Sequence, residues 1–398
     1  MTRTLHAWLE GVYAGRFTRD STGLVQFQYH TVTSTPSISL SLPREGKPSR
    51  RAAGNFLENL LPDHLHIRKQ MADAYGIETT DTFDLLEVAG GDVAGGLLLS
   101  AHEVQPTADP LILDPATDGD IAARIAAIKR TPDAWIGSRS PARFSLAGTQ
   151  GKFALSQVGE EWYWSNATVP STHILKPARP NLPGLEAAEA AALGLAAETG
   201  IGAPPAQVLR IKDQTTYVVE RFDRDRSGQI AARIHTEDLA QAMGKGPDDK
   251  YGVTAAQVIQ LLRQRVGIDA AYAFIGQLAF NTFIGNADAH AKNYSLMIRP
   301  DGISLTPMYD IVPVGLYPAF DQKLAMRIGG AQRAPEVGLQ HWRKLARTTS
   351  LDEERVDTIV TGLARSIAEA IDSTTLGLEP AQAARLRELI HRNVDRFS

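Results

Sequence analysis

Residues 283–293 read Phe-Ile-Gly-Asn-Ala-Asp-Ala-His-Ala-Lys-Asn, and this stretch decides how the rest of the chain is interpreted. It follows a long apolar run, Tyr272 to Ile284, which has the composition of a buried helix. The polar loop behind that helix is therefore predicted to be held rigidly on the core. Four residues separate Asp288 from Asn293 in the loop, and a further acid, Asp310, follows after a short hairpin pattern. These three side chains are the first candidates for chemistry.

The spacing Asp-x-x-x-x-Asn is that of a catalytic loop for phosphoryl transfer. In such a loop the acid accepts the proton of the attacking hydroxyl and the amide binds magnesium. Asp310 would add a second hard oxygen ligand for the metal ion. The spacing alone recurs by chance in many proteins, so the interpretation depends on whether the chain also carries groups that bind ATP.

The composition is that of an ordinary globular protein. The 398 residues suffice for two or three domains, and a net charge of −4 gives no positive field that would attract nucleic acid. The chain has no cysteine, which excludes disulfides and thiolate metal sites and favours a reducing compartment. We find no apolar core of a signal peptide and no apolar run of membrane-spanning length. A soluble cytoplasmic protein without a membrane partner is expected.

The first part of the chain mixes strands and helices. Alternating residues predict a hairpin over 7–17 that turns near Glu10-Gly11, and strands over 24–29, 38–42 and 97–100. Helices are predicted over 55–63, with a break at Pro62, and over 64–76 and 81–88. The glycine cluster at 90–96 could cradle phosphate, but a turn is the favoured interpretation. Residues 103–119, rich in proline, aspartate and threonine, have the composition of a linker.

The middle and last parts follow the order of a protein kinase. Strands are predicted over 144–146, 152–156, 162–164 and 172–176, then a helix over 186–199 and a hairpin of 207–211 with 216–220, as in a kinase small lobe. Helices are predicted over 236–243, 254–264, 268–286, 336–346, 351–371 and 379–397, interrupted by a hairpin of 294–298 with 303–305.

The predicted fold class is therefore α+β, a protein-kinase-like bilobal fold. It has a β-rich N-lobe, an added N-terminal subdomain and a mostly helical C-lobe. The predicted domains are the N-terminal subdomain at 1–105, the small lobe with its phosphate-binding loop at 120–224, and the helical large lobe with its catalytic loop at 235–398.

Three segments are candidates for binding ATP. The glycines between Ser145 and Lys152 would let backbone N–H groups approach phosphate, although the segment matches neither a Walker A loop nor G-x-G-x-x-G, and a plain hairpin turn stays open. Lys176 ends an apolar strand; it is either a solvated strand end or the partner of Glu189, the pairing by which kinases aim a lysine at phosphates. Residues 220–222 are either the link between lobes that reads adenine or an ordinary strand end.

The remaining polar residues near the loop have two interpretations each. His290 could contact phosphate or hold the loop, and a packed structural histidine is the alternative. Lys292 is expected to face solvent. Tyr309 would pack under the nucleotide or belong to the core. Residues 235–238 are predicted to cap a helix, with Asp238 among the acids of its first turn.

Several motifs occur in one order along the chain. They are Ser-x-x-Gly-x-Gln-x-Lys at 145–152, Thr-His-Ile-x-Lys-Pro at 172–177, Val-Glu-Arg-Phe-Asp-Arg at 219–224, Glu-Asp-x-x-Gln at 237–241, Ile-Gly-Asn-x-Asp-x-His-x-Lys-Asn at 284–293 and Pro-x-Tyr-Asp-Ile at 307–311. Asn-Leu-Leu-Pro-Asp at 59–63 and Phe-Asp-Leu-Leu at 83–86 precede them. In these motifs the chain resembles the HipA-type serine/threonine kinase toxins of bacterial type II toxin–antitoxin modules, over nearly its whole length.

The resemblance implies roles for individual residues. Asp288 would be the proton acceptor, and Asn293 and Asp310 the Mg²⁺ ligands. Ser145 would be an autophosphorylation site that switches the kinase off by expelling the loop. The implied ATP-binding residues are Ala147, Gly148, Thr149, Gln150, Gly151, Lys152, Lys176, Glu220, Arg221, Phe222, His290, Lys292 and Tyr309, with Glu189 as the structural ion-pair partner of Lys176.

The resemblance also implies partners. These are a small helix-turn-helix antitoxin of the HipB kind, DNA only indirectly through that antitoxin, and a protein substrate, with an aminoacyl-tRNA synthetase as the family's best-known target. Two other functions stay open at this point: a small-molecule phosphotransferase on a similar fold, and a corepressor that acts mainly with a DNA-binding antitoxin. The acidic net charge argues against DNA binding by this chain alone.

Overall fold

The computed structural model describes residues 3–32, 35–104, 110–131, 150–179 and 182–397. Ser145, Ala147, Gly148, Thr149 and the predicted strand at 144–146 lie outside these ranges. The chain forms two compact units. Unit 1 comprises Met1–Pro177, Leu209–Asp248 and Leu296–Ile303, and unit 2 comprises Ala178–Val208, Asp249–Ser295 and Ser304–Ser398.

The fold mixes helices and strands throughout. The strands, in chain order, are β1 (Arg3–Leu9), β2 (Val12–Arg19), β3 (Val25–Tyr29), β4 (Leu97–Ser100), β5 (Asp114–Pro115), β6 (Phe153–Val158), β7 (Glu161–Trp164), β8 (His173–Lys176), β9 (Ala206–Ile211), β10 (Gln214–Glu220), β11 (Arg224–Asp225), β12 (Ala232–Arg233), β13 (Thr236–Asp238), β14 (Ser295–Arg299), β15 (Gly302–Leu305), β16 (Lys323–Ile328) and β17 (Ala331–Arg333). The helices are α1 (Ala52–Glu58), α2 (Leu65–Tyr75), α3 (Thr82–Ala89), α4 (Asp118–Arg130), α5 (Leu185–Glu198), α6 (Leu239–Ala242), α7 (Ala255–Arg265), α8 (Ile268–Phe283), α9 (Leu339–Thr349), α10 (Glu353–Ser373) and α11 (Pro380–Val394).

Unit 1 begins with an antiparallel sheet of order β3-β2-β1-β4. The predicted hairpin is confirmed: Glu10 and Gly11 connect β1 to β2 with φ angles of 49° and 84°, the left-handed pair that matches the twist of a two-residue hairpin. Helices α1 and α3 supply Phe56 and Phe83 to the same core, where both rings are almost fully buried together with Phe17 of β2. Burial of these rings, each worth about 2–3 kcal/mol, holds the helices on the sheet.

The predicted strand at 38–42 is wrong. Only a single bridge, Ser39 to Leu42, is present there. The main chain of this segment bonds to side chains instead, because the Ile38 carbonyl lies 2.9 Å from His235 Nε2 and the Leu40 N–H donates to Glu237 Oε1 at 2.8 Å. These bonds connect the segment to the side chains of His235 and Glu237, so its main chain does not pair with a neighbouring strand as a predicted β-strand would.

The second sheet of unit 1 has the order β5-β7-β6-β8-β10-β9, with β9 contributing its last residues to this unit. Helix α4 packs on it through Ile121 and Ile125. Helix α4 is absent from the sequence-based expectations, although Thr117 and Asp120 form a capping box at its start. The described part of the predicted linker at 103–119 therefore ends in β5 and in the cap of α4.

Residues 235–248 also lie in unit 1, although the predicted large lobe begins at 235. A capped helix is present, but it begins later than predicted: Asp238 is itself the N-cap of α6, in a capping box with Gln241, and Thr236–Asp238 forms β13 where the first helical turn was expected. Gln241 Nε2 donates to the Phe56 carbonyl at 3.1 Å, and Asn55 Nδ2 donates to the Gly244 carbonyl at 2.8 Å. The segment is thus bonded to the N-terminal helix α1.

A buried ionic cluster lies between the glycine segment at 90–96 and the chain after β10. Arg221 donates to both carboxylate oxygens of Asp223, at 2.8 and 2.6 Å, and Arg224 donates to Asp92 at 2.9 Å. The Gly95 N–H donates to Asp223 at 2.7 Å. The remaining residues of 90–96 form mainly turns and bends, which agrees with the prediction of a turn at this glycine cluster. This cluster anchors the segment that follows β10.

Unit 2 is built around α8. Helices α7, α10 and α11 pack against it, and α9 packs on α7 and α10. The helices predicted at 254–264, 268–286, 336–346, 351–371 and 379–397 are confirmed with small shifts at their ends. Among the described residues no helix is long and apolar enough to cross a membrane.

Candidate active site

The polar loop at 284–293 starts from the end of α8. Gly285 has a φ of 72°, the Asn286 N–H donates to the Asn281 carbonyl at 2.8 Å, and the Gly285 N–H donates to the Thr282 carbonyl at 3.2 Å. This is a Schellman motif, which needs a left-handed residue after the helix and so favours glycine. The side chains of Asn281 and Asn286 are also bonded to each other at 2.9 Å. These bonds fix the start of the loop to the end of α8, in agreement with the prediction that the loop is held rigidly on the core.

Asp288 is the exposed residue of an otherwise buried loop. Its N–H is bonded to Asn286 Oδ1 at 3.2 Å, and its Oδ1 accepts a hydrogen bond from the Tyr251 hydroxyl at 2.7 Å. Desolvation by the surrounding protein raises the pKa of Asp288, the Tyr251 hydrogen bond lowers it, and the negative charge of Asp310 raises it further. The net shift is upward, which makes the carboxylate a stronger base than an ordinary aspartate.

Asn293 and Asp310 lie side by side. Asn293 Nδ2 is 3.3 Å from Asp310 Oδ2 and 3.4 Å from the Asp310 carbonyl. Asp310 has a φ of 54°, a left-handed conformation that aspartate and asparagine tolerate better than most residues. The preceding Tyr309 holds the loop, since its hydroxyl donates to the Lys292 carbonyl at 2.7 Å and lies 2.6 Å from Ser295 Oγ. The structure thus brings together the two residues predicted to bind magnesium.

Asn293 and Asp310 could bind a magnesium ion whose remaining ligands are waters and the phosphates of a nucleotide. Among the described residues there is no group of three or more His, Cys, Asp or Glu side chains that could hold a metal ion. Magnesium is commonly bound through one or two protein oxygens together with waters and substrate phosphates. Asn293 Oδ1 and the Asp310 carboxylate supply such oxygens, so the donor set suits a magnesium ion that arrives with a nucleotide.

The neighbours of Asp288 are more buried than the sequence suggested. Lys292 was expected to face solvent, but only 7% of it is exposed, so that expectation is wrong. It lies in the short helical turn Ala291–Asn293, whose residues are all buried. His290 is also buried, and its ring meets the ring of Tyr251 edge to face with centroids 5.0 Å apart. A role in packing the loop is therefore present whether or not His290 contacts phosphate.

The predicted phosphate-binding lysines belong to unit 1. Lys152 and Lys176 are both buried, and the Lys176 ammonium lies 5.5 Å from the centre of the Tyr217 ring. The interpretation of Lys176 as a solvated strand end is therefore wrong. Gly151 is buried and Gln150 half-buried. Glu189, the predicted partner of Lys176, is buried in α5 of unit 2, and the ion pair between the two stays a prediction.

The charged side chains of the segment 220–222 are paired with other residues of unit 1. The Arg221 guanidinium is bonded to Asp223, Ser171 and the Val93 carbonyl, and the main-chain N–H of Arg221 donates to the Thr172 carbonyl at 2.8 Å. A side-chain contact from Arg221 to ATP would have to break these buried hydrogen bonds, and ATP binding at Arg221 stays a prediction. The Glu220 carboxylate is paired with Arg226 at 3.1 Å, and Phe222 is half-buried.

Comparison with known proteins decides the family. Residues 144–371 match the family model of the HipA-like C-terminal domain, which is more than half of the chain, and residues 5–100 match that of the HipA N-terminal domain. The chain belongs to the HipA family. Both domains occur in the order that the sequence motifs indicated, so the resemblance is confirmed.

Known proteins of this family match the chain over nearly its full length. A putative kinase of Sinorhizobium fredii, Y4mE, is 34% identical over 93% of this chain and 91% of its own length. The serine/threonine-protein kinase toxin HipA of Shewanella oneidensis is 28% identical over 95% of this chain and 91% of its own. A solved structure of the Shewanella oneidensis toxin–antitoxin complex of HipA, HipB and operator DNA superposes with a TM-score of 0.84 at 26% identity, covering 99% of this chain and 96% of that one.

Sequence motifs missed two features of this HipA-family structure. Tyr251 contacts the candidate base but lies outside every motif, in a polar loop before α7. Asp92 belongs to the buried ionic cluster but was read only as part of a glycine-rich turn. A tyrosine in a polar loop and an aspartate among glycines carry no periodic signal, so the single sequence could not have singled them out.

Proposed function

We propose that this chain is an ATP-dependent serine/threonine protein kinase toxin of a bacterial toxin–antitoxin module. It transfers the γ-phosphate of ATP to the hydroxyl of a protein. The observation that carries the proposal is the loop after α8, where a base of raised pKa lies in one rigid segment with Asn293, which is adjacent to Asp310. Membership of a family whose relatives are named kinases supports it.

Each group of the loop has a role that follows from its chemistry. Asp288 accepts the proton of the attacking hydroxyl, and its raised pKa improves it as a base. Asn293 and Asp310 would hold Mg²⁺, which supplies positive charge to the transferring phosphoryl group. The Schellman end of α8 and the Tyr309 hydroxyl fix the loop, so that little reorganisation is needed on substrate binding.

The residues proposed to bind ATP are those that the sequence motifs imply. The set consists of the loop at 147–152, Lys176 aimed by Glu189, the main chain at 220–222, His290, Lys292 and Tyr309. Lys152 and Lys176 would supply positive charge to the phosphates of ATP. The predicted domain boundaries and the bilobal arrangement are part of the proposal.

The proposed partners follow from the relatives. A HipA of Shewanella oneidensis forms a complex with HipB and operator DNA, and it resembles this chain over nearly its full length. We therefore propose a small helix-turn-helix antitoxin as partner and DNA contact through that antitoxin. From the family resemblance in the sequence motifs we also propose a protein substrate, for which an aminoacyl-tRNA synthetase is the first candidate to test, and from the composition of the chain a cytoplasmic location.

Labelled ATP tests the reaction class. The purified chain is incubated with Mg²⁺, γ-labelled ATP and a heat-treated bacterial extract, and protein-bound label is separated from label in small molecules. We expect label on serine or threonine of protein. Label found only in a small metabolite would refute the protein-kinase proposal and favour a small-molecule phosphotransferase.

Ser145 provides a prediction about regulation. Phosphate on Ser145 adds about two negative charges next to the proposed phosphate-binding loop, so it should repel ATP and lower activity. Intact mass spectrometry after incubation with ATP should show one phosphate on the wild-type chain that is absent from Ser145→Ala. An equal gain in mass in both proteins would contradict the proposal for this serine.

A further inference from the structure

Tyr251 lies against the loop that carries the proposed base. Its hydroxyl donates to Asp288 Oδ1 at 2.7 Å, and its ring meets His290 edge to face. The carbonyl of the preceding Lys250 accepts the Ala291 N–H at 3.4 Å. The segment 250–251 therefore contacts the loop through main chain, ring and hydroxyl.

Core packing does not explain this placement. Tyr251 is 55% exposed, so its ring contributes little apolar burial. The hydroxyl donates to Oδ1 of the carboxylate. A bond to Oδ1 restricts rotation of the carboxylate and does not occupy Oδ2, which is the oxygen that would receive a proton.

We propose that Tyr251 is a positioning residue for phosphoryl transfer, which holds Asp288 through Oδ1 so that Oδ2 receives the proton of the acceptor hydroxyl. The inference rests on the proposed function. In the step, the acceptor O–H gives its proton to Asp288, its oxygen forms a bond to the γ-phosphorus of ATP, and ADP leaves with the electrons of the broken P–O bond.

The charges and hydrogen bonds around Asp288 predict how removal of the Tyr251 hydroxyl would change the pKa of Asp288 and the pH dependence of the reaction. Desolvation and Asp310 raise the pKa of Asp288, whereas the Tyr251 hydrogen bond, Lys250 and Arg179 lower it. Removing the hydroxyl should therefore raise that pKa. The base acts only when ionised, so the acidic limb of the pH profile should move to higher pH.

Tyr251→Phe is the variant that tests the proposal, because it keeps the ring on His290. With labelled ATP and the heat-treated extract, we expect kcat to fall roughly tenfold, since hydrogen bonds to charged groups are worth that order. KM for ATP should not change, and the acidic limb should shift upward. Carboxyl NMR titration of Asp288 should show the same upward shift without any need for turnover.

Tyr163→Phe is the matched control. The Tyr163 hydroxyl also donates to a carboxylate, Glu161 Oε2 at 2.6 Å, but in β7 of unit 1. Its loss should leave kcat and the pH profile unchanged.

The outcomes separate the two proposals. If Asp288→Asn is inactive and Tyr251→Phe behaves like Tyr163→Phe in rate, pH profile and titration, the positioning role is refuted and the kinase proposal stands. If Asp288→Asn keeps full activity, the kinase proposal itself fails, and with it the role of Tyr251.

Discussion

Replacing Asp310 with asparagine is expected to reduce phosphate transfer by at least about a hundredfold. The change keeps a side chain that tolerates the left-handed backbone of this position, where φ is 54°, and removes the negative charge next to Asn293. Metal ions contribute several kcal/mol to stabilisation of charge in the transition state, so a weakened ligand set costs at least two powers of ten. Labelled-ATP assays over a range of Mg²⁺ concentrations would measure the loss.

Asp321→Asn serves as the control for the loss of a charge. Asp321 is exposed in the same unit, and its side chain accepts from the Lys323 N–H at 3.0 Å. Its replacement should leave transfer unchanged. Equal activity of Asp310→Asn and wild type at low Mg²⁺ would show that Asp310 is not a metal ligand.

The second large effect concerns stability, and it is expected for Asp92→Ala. Asp92 is fully buried between Arg224 and Arg221. Burial alone would raise the pKa of Asp92, but these arginines outweigh it and hold the pKa below its usual range. Removing the carboxylate leaves buried guanidinium charge uncompensated, which typically costs about 3–5 kcal/mol.

Chemical denaturation would measure this loss as a lower free energy of unfolding. Asp213→Ala removes the same charge from the exposed turn between β9 and β10 and should change stability by no more than about 0.5 kcal/mol. Because the folded pKa of Asp92 is lowered, its contribution should be present at neutral pH and be lost only in strong acid, as pH falls through that lowered pKa. Denaturation of Asp92→Ala at the wild-type midpoint would contradict the role of the cluster.

Local patterns were sufficient for the elements that frame the site. Glu10-Gly11 signalled a two-residue hairpin, and the apolar run before Gly285 signalled a buried helix with a rigid end; both are present. Asp288, Asn293 and Asp310 could be chosen from spacing because a phosphotransfer loop needs those residue types in that order. The adjacency of Asn293 and Asp310 in the structure agrees with that choice.

Features that depend on distant contacts could not be predicted in this way. The segment 38–42 alternates like a strand, but its main chain is bonded to His235 and Glu237, almost two hundred residues later. The position of Arg221 after a strand predicts a nucleotide-binding link between lobes, but its side chain is buried in an ionic cluster that includes Asp92. Lys292 was read as a solvated lysine because burial of a single charge leaves no trace in periodicity.

The central claim is that Asp288 is the proton acceptor of a protein kinase, and Asp288→Asn tests it most directly. Asparagine has nearly the same shape but cannot accept the proton, while its neutral amide avoids the cost that the raised pKa of Asp288 places on the charged form. We predict a fold at least as stable as wild type at neutral pH and transfer of labelled phosphate from ATP to protein reduced by about a thousandfold or more. Transfer at the wild-type rate by a folded Asp288→Asn protein would contradict the claim.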